Sequence, residues 1–160
     1  MAADHLGLSL SSGQVEYVLS RLYNDRTNRG LLVGRDLKRL QGCVDRCRYA
    51  ASDFFAELWE WKSTAAPPNG RVGAPLSATN SLSPELLELA RGLKQAGDAI
   101  TAETERQDFT AAHDRLVALA GELNAWHGQQ VAGSVYWIES AWNRRGTPRM
   151  TLAESRAKFG

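Results

Sequence analysis

Cysteine is scarce in this chain. Cys43 and Cys47 are the only two among 160 residues, and no apolar run approaches the ~20 residues that a membrane-spanning helix needs. Their spacing of four places them on neighbouring turns of a helix, outside the geometry of an ordinary structural disulfide. His5, His113 and His127 are scattered rather than paired at ligand spacing, so the two thiols lack the partners of a four-ligand metal site. Both are read as reduced, with Cys47 packed in a core. The opening MAADHLGL lacks the basic-then-apolar order of a signal peptide, and a cytoplasmic protein with no membrane partner is expected.

An excess of charge of one sign is also missing. Nineteen Lys and Arg face 18 Asp and Glu, a formal net charge of +1, which excludes gripping phosphates by bulk charge and leaves only local patches for nucleic acid. Catalytic signatures are absent as well: there is no Walker-type glycine loop, no Gly-x-Ser-x-Gly elbow and no His-Glu-x-x-His pair. Asp4 and His5 adjoin near a terminus, Glu103 and Glu105 fall on different helix faces, and His113 and His127 read as surface or interface residues. No catalytic residue and no metal ligand is assigned.

What is present is helical periodicity. Hydrophobic residues make up 43% and charged residues 23%, the composition of one soluble globular domain. Ser11 or Ser12 caps a first helix with Val15, Val18, Leu19 and Leu22 on one face, which ends in the turn NDRTNRG. From about Gly34, Leu37, Leu40, Val44, Cys47, Ala51, Phe54, Leu58 and Trp61 form an unbroken three-four seam on a helix of roughly 28 residues, about 40 Å long. Residues 63–82 are rich in Pro, Gly, Ser, Ala and Asn without periodicity, and a mobile loop is expected there. Ser83 then reads as a cap with Pro84 and Glu85 in the first turn, ahead of Leu86, Leu89, Leu93, Ala96 and Ile100. After a break near Glu105 to Asp108, a last helix carries Phe109, Ala112, Leu116, Leu119, Leu123 and Trp126. The fold class expected is mainly α: an antiparallel bundle of about four helices over residues 1–133, then a β-hairpin over 134–153 and a tail over 154–160.

The hairpin is the odd element. Val135, Trp137 and Glu139 alternate with Tyr136 and Ile138, and Arg144, Arg145, Gly146 and Pro148 occupy the turn. Two strands alone are barely stable in water, so they need a surface or a larger sheet. Two arginine-rich groups accompany this layout. Arg26, Arg29, Arg35, Lys38 and Arg39 crowd the first interhelical connection, interrupted by Asp25 and Asp36, while Arg144, Arg145 and Arg149 crowd the hairpin. Beside Tyr23, Tyr136 and Trp142 they suit single-stranded nucleic acid, whose phosphates meet basic groups and whose bases stack on rings.

The opening AADHLGLSLSSGQVEYVLSRLY resembles the segment after the Asp-Glu-Ala-His box of DinG-like ATP-dependent DNA helicases, superfamily 2 relatives of the xeroderma pigmentosum group D helicase. In that family a helical insertion follows, ending in a strand like VYWIE (135–139), a basic turn, and a strand like MTL (150–152) that rejoins the first motor domain. The resemblance runs through nearly the whole chain and is strongest at residues 2–33 and 134–152. It implies a non-catalytic, arch-like helical domain that helps bind and guide single-stranded DNA, with the hairpin joining a motor-domain sheet. ATP, magnesium and the family's iron–sulfur cluster would belong to the parent, none of them to this chain. Cys43 and Cys47 match no cluster ligand, and AESRAKFG stands where the family continues into an Ala-Pro-hydrophobic-Asp-Val stretch. The implied partners are single-stranded DNA, held weakly by this chain alone, and the parent's motor domains. From another class, a stand-alone helical module for protein–protein interaction fits the same seams, and a small metalloprotein built on the cysteines and histidines is the remote third.

Overall fold

Ser11 closes a short strand and opens the first helix. The strand, β1, covers Leu8–Ser11 and the helix, α1, covers Ser12–Leu22. The Ser11 hydroxyl accepts the Gln14 N–H at 3.1 Å, satisfying a donor that the helix start would otherwise leave without an acceptor. Of the two candidate caps Ser11 is the one used, and the buried face is the expected Val15, Val18, Leu19 and Leu22. The structure, a computed structural model, describes residues 7–35, 37–142, 146 and 148–156.

After α1 the chain turns where Asn24 and Arg29 bridge. Gly30 takes a φ of 131°, and a Cβ there would run into the Leu22 backbone, so glycine alone fits. The long helix, α2, covers Lys38–Thr64, 27 residues. It begins four residues later than its periodicity indicates, because Gly34 sits at a φ of 78° and Leu32 is already buried in the preceding turn. Leu40, Cys43, Val44, Cys47, Phe54, Phe55 and Leu58 form its buried side.

The next helix, α3, covers Leu82–Asp98, and α4 covers Glu103–His127. Ser83 is therefore not the cap. It lies inside the first turn and fully buried, where its hydroxyl reaches the Ala120 carbonyl of α4 at 3.3 Å. Asn80 does the capping, with its side-chain carbonyl accepting the Ser83 N–H at 3.2 Å. The break between the last two helices lies at residues 99–102 rather than at 105–108. Glu103 and Glu105 belong to the first turn of α4, where acidic groups complement the helix dipole. Among the helices, α3 packs against α4 and α2, and α1 packs against α2.

The hairpin consists of β2, Ser134–Trp142, and β3, Pro148–Arg156. It does not stand alone. β1 pairs with the other side of β3, giving a three-stranded antiparallel sheet in the order β1-β3-β2, with Leu10 and Ile138 both opposite Leu152. β3 also runs to Arg156, so Glu154, Ser155 and Arg156 are strand residues and not tail; residues 157–160 lie outside the described residues. Leu10, Tyr136, Ile138, Met150 and Leu152 bury one face of the sheet in the same core as the helices. Trp126 of α4 fixes the junction, its indole N–H donating to the Ala153 carbonyl at 3.0 Å in a buried position.

Residues 65–81 carry no helix or strand, as composition indicates, yet the segment is pinned. Val72 N–H donates to the Tyr136 carbonyl at 2.8 Å and Ile138 N–H to the Gly70 carbonyl at 2.9 Å, which lays residues 70–72 along the outer edge of β2. Val72 is buried, and His127 Nε2 lies 2.6 Å from the Ala78 carbonyl. Among the described residues, no helix is long and apolar enough to cross a membrane.

Candidate nucleic-acid interface

Among the described residues, the first basic group divides into exposed cations without an ion pair and one engaged cation. Arg26 and Arg29 are exposed in the turn after α1, where the Asn24 side-chain carbonyl accepts the Arg26 N–H at 3.1 Å and so shapes the turn that displays them. Lys38 and Arg39 are exposed in the first turn of α2, a position where the helix dipole adds to their positive potential instead of offsetting it. Arg35 is different. Its Nη1 lies 3.0 Å from Glu105 Oε2, its Nε donates to the Leu31 carbonyl at 3.2 Å, and its guanidinium sits 5.3 Å from the Phe109 ring centroid. Asp36 lies outside the described residues.

The second group is only partly visible, because Arg144 and Arg145 lie outside the described residues. Arg149, at the start of β3, donates to the Ser11 hydroxyl at 3.2 Å and lies over the first turn of α1. The structure therefore places Arg149 and the Arg26–Arg29 turn at opposite ends of α1, about 16 Å apart along its axis at 1.5 Å per residue. They do not converge on one spot.

The expected stacking rings fare unevenly. Tyr136 is buried and its hydroxyl accepts the Val131 N–H at 2.8 Å, so it serves the core and not a ligand. Tyr23 is half-buried against the core. Trp142 remains available at 65% exposure, edge-on to Trp59 with ring centroids 5.3 Å apart.

Sequence reasoning missed a concavity beside Trp59. A cleft of about 620 Å³ opens between the start of α1, the middle of α2 and the start of β3. Val15, Phe55, Trp59 and Met150 supply apolar wall, while Arg48 and Arg149 stand at its polar side. Arg48 is fully committed: Glu16 and Asp45 each lie 3.5 Å away, and its Nη2 donates to the Tyr23 carbonyl at 2.6 Å. The one available signal was Trp59, a large ring directly after seam residue Leu58 and so beside the buried stripe instead of on it.

Neither thiol makes a site. Cys43 and Cys47 are free and buried, and burial, reinforced by Glu85 and Cys43, pushes the Cys47 thiol up to about 12. Among the described residues no three His, Cys, Asp or Glu side chains gather as metal ligands; His5 and Asp4 lie outside them. His113 pairs with the neighbouring Asp114 at 2.9 Å. Glu122 on α4 has its carboxyl raised above its ordinary value by desolvation. Compared with protein-family models, curated proteins and solved structures, the chain matches none.

Proposed function

We propose that this chain is the non-catalytic, arch-like helical domain of a DinG-like ATP-dependent DNA helicase and contributes to binding and guiding single-stranded DNA. One observation carries the reading. The two segments in which the resemblance is strongest, 2–33 and 134–152, meet as neighbouring strands, with Leu10 opposite Leu152 and Ser11 opposite Thr151. An insertion must leave and re-enter its host at adjacent points, and a shared sheet is the simplest way to bring entry and exit side by side. The four helices then form an antiparallel bundle standing on that sheet, and the sheet in turn extends that of a motor domain.

Arg26, Arg29, Lys38 and Arg39 are the phosphate contacts in this reading. Binding by the chain alone is weak, because net charge is near neutral and the host's part of the channel is missing. Each phosphate neutralised on a single strand contributes roughly 0.7 to the slope of log affinity against log salt, so three or four contacts give about −2 to −3. Fluorescence anisotropy of a labelled oligonucleotide in low salt measures it. Charge reversal at Arg26 and Arg39 flattens the slope while helicity stays unchanged. Absence of oligonucleotide binding, or binding indifferent to salt and to these cations, returns the chain to the class of protein-interaction modules. ATP turnover belongs to the host's phosphate loop and acidic box, so the chain alone is expected to hydrolyse none.

A further inference from the structure

The proposed DNA contacts leave the cleft beside Trp59 unexplained. Its about 620 Å³ lies within the range of small-ligand sites, and its walls are unusual for a surface dent: Phe55 and Trp59 from α2, Met150 and Pro148 from β3. Trp142, mostly exposed, packs edge-on against the cleft residue Trp59, with ring planes 74° apart. The cleft also holds one cation without a carboxylate. Arg48 is offset by Glu16 and Asp45, whereas Arg149 has no acidic partner within 4.0 Å among the described residues and bonds only the Ser11 hydroxyl. The Trp59 ring, with Trp142 set edge-on to it at 74°, next to an arginine that lacks a counter-charge among the described residues, matches a ligand with a planar ring at one end and an anion at the other.

We propose that this cleft binds a nucleotide, its base against Trp59 and Trp142 and its phosphate at Arg149. A free nucleotide and one residue of a single strand share this chemistry. Occupation by a strand rests on the DNA-binding reading above, and would make the cleft a station that holds one base out of the stack while Arg26, Arg29, Lys38 and Arg39 hold the backbone elsewhere.

Ala56 gives a way to test the cleft without touching any charge, since it is exposed on α2 and lines the space. Ala56→Phe fills the cleft, Trp142→Ala removes the outer ring, and circular dichroism verifies that each variant folds. The probes are thymidine monophosphate, followed by tryptophan quenching, and a labelled oligothymidylate, followed by anisotropy. The expected result is quenching by the mononucleotide in the wild-type chain and none in Ala56→Phe, with oligonucleotide affinity falling roughly tenfold in Ala56→Phe and in Trp142→Ala. Oligonucleotide binding that both variants retain, still sensitive to Arg26 and Arg39, overturns the cleft and leaves the DNA-binding reading in place. Mononucleotide binding without oligonucleotide binding keeps the cleft and overturns the strand. Silence with both probes overturns both.

Discussion

Arg35 and Glu105, 70 positions apart in sequence, meet at 3.0 Å and tie the turn before α2 to the first turn of α4. The same guanidinium lies over the Phe109 ring. This arginine belongs to a basic cluster when read along the chain, yet in three dimensions it is a structural cross-link.

Arg35→Ala should therefore cost stability and leave DNA binding nearly untouched. The pair is partly exposed, so its own contribution is about 0.5–1 kcal/mol, with a similar amount from the ring contact. Urea denaturation of Arg35→Ala, Glu105→Gln and the double variant should show a coupling of that size. The salt slope of oligonucleotide binding should be the wild-type slope in Arg35→Ala and shallower in Arg39→Glu. A flattened slope in Arg35→Ala with unchanged stability would reverse the assignment.

The helix–sheet junction gives a sharper stability test. Trp126→Phe keeps most of the apolar volume but removes the indole N–H that the Ala153 carbonyl accepts. A buried carbonyl left without its donor costs about 1–3 kcal/mol. If the sheet and helices fold as one unit, near-ultraviolet and far-ultraviolet signals should move together to lower denaturant in this variant. Separate transitions would mean that β1, β2 and β3 melt independently of α4.

These particulars show what could be read from residues in order. The buried face of α1, and Leu86, Leu89 and Leu93 on α3 with Phe109, Leu116, Leu119, Leu123 and Trp126 on α4, were legible because a three-four rhythm encodes one face, whereas Ala96 and Ala112 are only half-buried and Ile100 falls beyond the end of α3. β1 was not legible. LSLS is four residues long, too short for alternation to stand out, and it becomes a strand only because β3, some 140 positions later, offers it an edge. Ser83 misled for a related reason: a serine before proline looks like a cap, but Asn80 sits three residues earlier and takes that role, freeing the hydroxyl to reach Ala120. Among the site residues, exposure separated Arg26, Arg29, Lys38 and Arg39 from Arg35, and exposure is set by partners from distant segments that no local pattern records.

Residues 65–81 illustrate the same limit and yield a prediction. Composition speaks for mobility throughout, whereas the hydrogen bonds to Tyr136 and Ile138 anchor residues 70–72. A broad-specificity protease under native conditions should cut first at 73–77, where four of the five residues are exposed, and spare 70–72. Mass spectrometry locates the cut. Val72→Asp, which places a charge in a buried position, should release the anchor and spread cleavage across 66–77. Equal early cleavage at 70–72 in the wild-type chain would show that the edge pairing does not persist in solution.

Cys47 supplies the pH-dependent prediction. Folded, burial keeps its proton on until about pH 12; unfolded, the thiol titrates near its ordinary 9.0. Between those values the unfolded state binds fewer protons than the folded one, so the linkage slope is negative and stability declines as pH rises. Below pH 9 both states hold the proton and this residue adds no pH dependence. Lysines and tyrosines titrate in the same range, so the informative quantity is the difference between the wild-type chain and Cys47→Ala. The variant should be less stable by roughly 1–2 kcal/mol at neutral pH, because it opens a small cavity in a fully buried position. That gap should narrow as urea midpoints are measured at successive pH values above 9, since only the wild-type chain carries the thiol. A gap that stays constant through this window would mean that the folded thiol ionises freely, and that the interior around Cys47, Glu85 and Cys43 is open to water.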